Sequence, residues 1–194
     1  AFGFYYADDL ARMQQQGAEL IDIDVMQDSH LPALDALFIG GGFPETRLEA
    51  LEQNHDMRHA IADAIDGGLP VYAECGGLMY LARSIEWQGR QHAMVGSIPG
   101  DITVEARPQG RGYVQLQANA SHPWGIASDR AINAHELHYS RFKQLDKGAR
   151  FAFTVRRGTG IYGASDGFIH NRLLACYTHQ RDTRTDIRGR PLQA

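Results

Sequence analysis

Cys75 stands in a segment whose residue types suit covalent chemistry. Leu69-Pro70-Val71-Tyr72-Ala73-Glu74-Cys75-Gly76-Gly77-Leu78-Met79-Tyr80-Leu81 passes from a short apolar stretch, through a cysteine, into two glycines and a helix-like pattern. A strand, a sharp turn carrying the nucleophile and a following helix make a nucleophile elbow. Such a turn needs small residues on either side, here Ala73 and Gly77, because backbone and side chains crowd there. The sulfur then lies near a helix N-terminus, whose partial positive charge and free N–H groups favour thiolate over thiol. The plainer alternative is a structural cysteine at a strand end, since cysteine is often buried.

A cysteine nucleophile needs a base within hydrogen-bond reach, whatever the distance in sequence. His179, just past the last strand-like run in Cys176-Tyr177-Thr178-His179, fits that part. Gly40-Gly41-Gly42-Phe43-Pro44-Glu45 follows a second apolar stretch, and three glycines let the backbone turn sharply and present N–H groups to a cleft. In an elbow enzyme such a loop supplies one oxyanion donor, and the N–H after the nucleophile, that of Gly76, supplies the other. A plain strand-to-helix turn would look the same. A phosphate loop is disfavoured, because no lysine follows the glycines and no Gly-Lys-Ser/Thr occurs in the chain.

The remaining histidines offer less. His55 and His59, four apart on a probable helix, read as a solvated pair, since no third metal ligand is evident. His135-Glu136-Leu137-His138-Tyr139-Ser140 is one residue short of a zinc His-Glu-x-x-His. On a strand His135 and His138 point to opposite faces, whereas Glu136 and His138 share one and could line a cleft. His30, His92, His122 and His170 read as loop or surface residues. No metal site is expected.

The elements that must position these groups alternate in the first half. Phe2–Tyr6, Ala18–Val25, Asp35–Ile39 and Leu69–Ala73 read as strands. Asp8–Gln16, with an aspartate suited to capping, and Pro44–Gln53, His55–Asp66 and Gly77–Ser84 read as helices. Such alternation implies βαβ units and a parallel sheet with helices on both faces. Residues 85–160 change character, with short β-like runs at Ile85–Trp87, His92–Val95, Ile102–Glu105, Gly112–Gln117, Ala134–Tyr139 and Phe151–Val155 that read as added antiparallel hairpins. Arg172–Tyr177 is the last strand, and the polar, arginine-rich tail 181–194 reads as loosely ordered beyond a single domain of residues 1–180.

A length of 194 residues suits one domain, and 43% hydrophobic with 22% charged residues is ordinary for a soluble protein. The formal charge of −4 carries no nucleic-acid footprint. Two cysteines, no signal peptide and no bilayer-length apolar run point to a cytoplasmic protein without membrane or nucleic-acid partners. The chain opens Ala1-Phe2-Gly3-Phe4, already strand-like and without an initiator methionine, which suggests a piece of a longer protein or a processed one.

Together these segments resemble the class I glutamine amidotransferase domain, in its cobyrinic acid a,c-diamide synthase branch. The resemblance rests on Phe2–Tyr6, Gly40–Glu45, Pro70–Tyr80, Met94–Gly100 and His135–Ser140, in the family's order. It implies a flavodoxin-like, three-layer αβα fold with a mostly parallel central sheet. It implies that Cys75 attacks the side-chain amide of glutamine to form a thioester, and that His179 moves the protons. The N–H groups of Gly41, Gly42 and Gly76 would hold the oxyanion. The same resemblance implies an N-terminal, ATP- and magnesium-using synthetase domain that amidates a tetrapyrrole carboxylate, with no cofactor in the glutaminase part itself. A homodimer is also admitted.

The chain departs from the class pattern after the histidine. Many relatives read His-Pro-Glu, the glutamate orienting the histidine, but here Gln180-Arg181 follows. A Cys-His dyad, helped by Glu136 or His138, is therefore expected. The acceptor could equally be another tetrapyrrole such as sirohaem. Outside the resemblance, a stand-alone cysteine hydrolase and a non-catalytic scaffold remain as alternatives.

Overall fold

The computed structural model describes residues 1–125 and 131–180; the expected tail lies outside them. In chain order the elements are β1 Phe2–Phe4, α1 Ala7–Gln15, β2 Leu37–Ile39, β3 Gly41–Gly42, a 3-10 turn Pro44–Arg47, α2 Leu48–Gln53, α3 His55–Asp66, β4 Val71–Glu74 and α4 Gly76–Leu81. The second half supplies β5 Ala82–Trp87, β6 Arg90–Ala93, β7 Ile98–Val104, β8 Gly110–Ala118, β9 Ile132–His138, β10 Ser140–Leu145, β11 Arg150–Arg157, β12 Ser165–His170, β13 Leu173–Cys176 and β14 His179–Gln180.

An eight-stranded sheet runs β14-β9-β8-β11-β12-β13-β4-β2, and a four-stranded sheet runs β10-β7-β5-β6. The α/β class expected from the sequence holds, and the sheet is mixed. Parallel pairing centres on β4, which lies between β13 and β2. The added strands β12, β11, β8, β9 and β14 pair antiparallel and make up more of the sheet than its parallel part. β9 and β10 are separated by Tyr139 alone, so one extended run passes from the large sheet to the small one.

The core lies mainly on one face of the large sheet. There Val71, Ala73, Leu173 and Ala175 pack with Leu51, Met57, Ile61 and Ile65 of the helices and with Ile85, Ile98 and Ile102 of the small sheet. The opposite face holds Val114, Leu116, Phe153, Leu174 and Cys176. α1 buries no side chain. α3 forms as its sequence dictates. Asn54 caps it by accepting from the Met57 N–H, and Met57, Ile61 and Ile65 recur every fourth residue on the buried face. Gly68, at φ 86°, then ends it with the crossed pair Leu69 N–H to Ala64 O and Gly68 N–H to Ile65 O. That stop delivers the chain into β4, and β4 delivers Cys75.

Several sequence expectations shift. Ala18–Val25 is not a strand: Asp24 and Asp28 carboxylates accept the backbone N–H groups of Met26 and Asp24, satisfying the chain locally instead of in a ladder. Asp8 does not cap α1, whose flanking residue is Tyr6, but lies with Asp9 in the first turn, where a negative charge suits the helix dipole. The expected helix Gly77–Ser84 stops at Leu81, and its last residues open β5. Pro44–Gln53 divides into a 3-10 turn and α2. β10 and β12 were not legible as strands; β12 carries Gly167 at φ 71° and an aspartate, both loop signals. Among the described residues no helix is long and apolar enough to cross a membrane.

Asp166 fixes the exit from β13. Fully buried, it accepts the N–H groups of Gly167, Tyr177 and Thr178 at 2.8, 3.1 and 3.2 Å, holding the turn that leads to His179. Burial raises its pKa, against these hydrogen bonds. Replacing Asp166 with Ala orphans buried donors, and we expect a loss of about 3 kcal/mol in urea unfolding, with a melting temperature lower by about 10 °C.

Candidate active site

The elbow forms as a true backbone kink. Cys75 adopts φ 46° and ψ −102°, a region that L-residues with a side chain avoid. Its N–H donates to Cys176 O at 2.7 Å, extending the β4–β13 pairing by one residue, and its carbonyl accepts the Met79 N–H at 3.1 Å to begin α4. A Cβ on Gly76 would lie 2.6 Å from Gly42 O and 2.8 Å from Gly42 N, so the glycine loop and the elbow touch backbone to backbone. A Cβ on Gly77 would strike Ile39 O. The glycines are therefore demanded by close approach as much as by the turn.

His179 approaches the elbow from β14, its ring against Gly41. Its Nδ1 lies 3.2 Å from Glu74 Oε2, and Cys75 is among the groups that raise its pKa. Glu74 is 3% exposed. Its other oxygen, Oε1, accepts from Tyr72 Oη at 2.7 Å and from the Gln180 backbone N–H at 2.9 Å. Burial pulls the His179 pKa down. Interactions with Cys75 and with the Glu74 carboxylate outweigh it and push the value up to about 10. A ring held protonated beside a thiol is the arrangement that keeps sulfur nucleophilic.

The structure thus brings together Cys75, His179, Gly41, Gly42 and Gly76, with a Cβ on Gly41 colliding with the His179 ring. The expected dyad gains a carboxylate, Glu74, that sequence reasoning passed over as part of the elbow motif. Its only signal was its place at the carboxyl end of a parallel strand, where α/β folds gather functional groups. His135 was also missed as a neighbour. The register β14–β9 sets His179 opposite His135, their rings stack 15° from parallel at 5.0 Å, and Tyr6 Oη lies 3.1 Å from His135 Nε2. Burial, and then the charge of His179, lower the His135 pKa.

Glu136 and His138 share a face of β9 as expected but do not hydrogen-bond His179. Glu136 accepts from the N–H groups of Thr159 and Gly160 at 2.8 and 3.2 Å. His138 Nε2 lies 3.7 Å from its carboxylate. His138 stacks on Tyr177 at 4.0 Å and its Nδ1 donates to Ser140 O at 2.8 Å. The pair therefore shores up the layer beneath the elbow, where Cys75 Sγ lies 3.8 Å from Leu137 O. Two histidines expected at the surface are buried: His92 pairs with Glu52 at 2.8 Å, and His122 packs on Trp124 and Phe153. His55 and His59 are exposed, and His55 Nδ1 meets Arg58 rather than His59. Both cysteines are free thiols.

Because His179 binds its proton more tightly folded than unfolded, it adds stability in full below about pH 6.5 and loses it as pH rises through about 10. An NMR titration of the His179 ring should show that raised midpoint. Cys75→Ser should lower it by about one unit or more. Gly41→Ala should also lower it, because the new methyl drives the ring away from both partners.

Residues 1–183 match the CobB/CobQ-like glutamine amidotransferase domain. Over 179 residues, 92% of the chain, it is 41% identical to the cobyrinate a,c-diamide synthase of Magnetococcus marinus and 44% identical to that of Archaeoglobus fulgidus. The chain spans 38% of the length of each of these relatives. A crystal structure of a glutamine amidotransferase superposes with a TM-score of 0.62 at 16% identity, covering 87% of this chain and 82% of that one, a likeness of fold. The chain belongs to the CobB/CobQ-like glutamine amidotransferase family, a family of enzymes.

Proposed function

We propose that this domain hydrolyses glutamine and supplies the ammonia for ATP-dependent amidation of a tetrapyrrole carboxylate, as in cobyrinic acid a,c-diamide synthesis. The observation that carries the reading is Cys75 on a strained elbow, with a buried His179 held on the adjacent Glu74 and against the glycine loop that the elbow touches. The Cys75 thiolate adds to the side-chain carbonyl carbon of glutamine, forming a C–S bond and an oxyanion. In this reading the backbone N–H groups of Gly41, Gly42 and Gly76 receive that charge. Protonated His179 gives its proton to the amide nitrogen, the C–N bond breaks, and ammonia leaves a glutamyl thioester. Neutral His179 then takes a proton from water, hydroxide attacks the thioester, and glutamate departs as the thiolate is regenerated.

The acceptor chemistry rests on the relatives. Those named cobyrinate a,c-diamide synthase are more than twice as long as this chain, which supports a synthetase part elsewhere in the full-length protein. ATP and magnesium act there in this reading, activating the carboxylate that ammonia attacks.

In the full-length protein, Cys75→Ser should lower glutamine-dependent amide formation by about a thousandfold or more, while ammonium salts still support synthesis. Product analysis with cobyrinic acid as acceptor makes the measurement. Glutamine use that survives the substitution would overturn the mechanism. Hydrolysis of glutamine without amidation of the corrinoid would overturn the acceptor.

A further inference from the structure

We infer that Glu74 is the positioning carboxylate for His179, so that the residue preceding the nucleophile completes the proton-transfer chain. The inference rests on the glutaminase reading and names what makes its base work.

Three donors converge on Glu74, and two of them leave no choice. The Gln180 N–H can only donate, and it meets Oε1 together with the Tyr72 hydroxyl. Oε1 is thereby committed as an acceptor, which turns Oε2 toward His179 Nδ1 at 3.2 Å. A carboxylate facing Nδ1 requires a hydrogen on that nitrogen, and the second ring nitrogen, Nε2, is left to exchange a proton with Cys75. The orientation is consistent with the glycine loop, because Cε1 and Nε2 are the ring atoms that a Cβ on Gly41 would meet. Glu74 and Cys75 are consecutive, so the kink at Cys75 leaves the carboxylate at the end of β4, against the ring. This takes the place of the glutamate that class relatives carry after the histidine, where this chain has Gln180 and Arg181.

Glu74 could instead serve only to anchor Gln180 and Tyr72. Glu74→Gln separates the two roles without changing shape. The single amide oxygen is claimed by the Gln180 N–H and the Tyr72 hydroxyl, so the amide NH₂ faces Nδ1 and forces it to accept. The proton moves to Nε2, where the ring can no longer take one from Cys75. An anchor would lose little by that exchange. A positioning carboxylate would lose the working tautomer.

The test uses full-length protein with ¹⁵N-labelled histidine. The groups facing His179 are Glu74 from β4, Cys75 from the elbow and His135 from β9, with backbone from the glycine loop. For Glu74→Gln we expect kcat for glutamine hydrolysis to fall about 10²–10⁴-fold with KM changed by less than about threefold. The His179 titration midpoint should drop, and the neutral ring should carry its hydrogen on Nε2. Tyr72→Phe, which keeps the charge but loosens its orientation, should cost about tenfold in kcat and leave the Nδ1–H tautomer in place. The inference is overturned if Glu74→Gln leaves kcat within about threefold of the parent. It is equally overturned if activity falls while midpoint and tautomer stay as in the parent. A parent protein that releases no glutamate from glutamine would sink the glutaminase reading instead. The ¹⁵N spectrum would still decide whether Glu74 sets the tautomer.

Discussion

The backbone turn at Cys75 is the constraint on which the rest depends. A side-chain-bearing residue at φ 46° costs about 1–3 kcal/mol and persists only where its surroundings over-determine it. Here they do. The N–H of Cys75 is held by Cys176 on one side, and its carbonyl is engaged by Met79 on the other. Gly76 and Gly77 let α4 descend against the backbone of Gly42 and Ile39 with no room for a methyl group. Relaxing the turn would break the last rung of the β4–β13 pairing, unseat the first turn of α4 and part the elbow from the glycine loop.

Opposite the turn, two buried carboxylates do complementary work at the end of the sheet. Asp166 collects the N–H groups of Tyr177 and Thr178, setting the bend after β13. Glu74 collects the N–H of Gln180 and the His179 ring, setting the two residues beyond that bend. Isolated carboxylates at this depth would be strongly disfavoured. Each is tolerated because buried donors that themselves require partners surround it: three backbone N–H groups at Asp166, and one backbone N–H, the Tyr72 hydroxyl and the His179 ring at Glu74. The cost of burial thus becomes a geometric specification for residues 177–180, and His179 arrives at Cys75 with its ring already turned.

Much of this was legible in the residues. The elbow, the glycine loop, the histidine beyond the last strand and the opposed faces of β9 all follow from local rules of turn chemistry and alternation. α3 is written almost completely by its cap, its fourfold spacing and its closing glycines. What escaped was set by pairing across long separations. Glu74 reads as an ordinary strand end until β14 folds back 105 residues later to place His179 on it. His135 reads as one face of a strand until register sets it against the same ring. The failed strand at Ala18–Val25 has another origin, because the aspartates that supply its alternation also hydrogen-bond their own backbone.

The placement of the carboxylate has a mechanical consequence. When it follows the histidine, the orienting group and the ring it orients share one loop, and any motion of that loop carries both away from the sulfur. Here Glu74 belongs to β4, a strand paired on both sides whose Val71 and Ala73 are fully buried. Cys75 and Glu74 are therefore held at the end of the same rigid element, and only the imidazole must be brought in. Groups held on strands keep their geometry more closely than groups held on loops. The contact of Nδ1 with Glu74 then helps fix the position of the ring and, with Cys75, raises its pKa. The sequence after His179 is correspondingly free to carry glutamine and arginine where class relatives carry a glutamate.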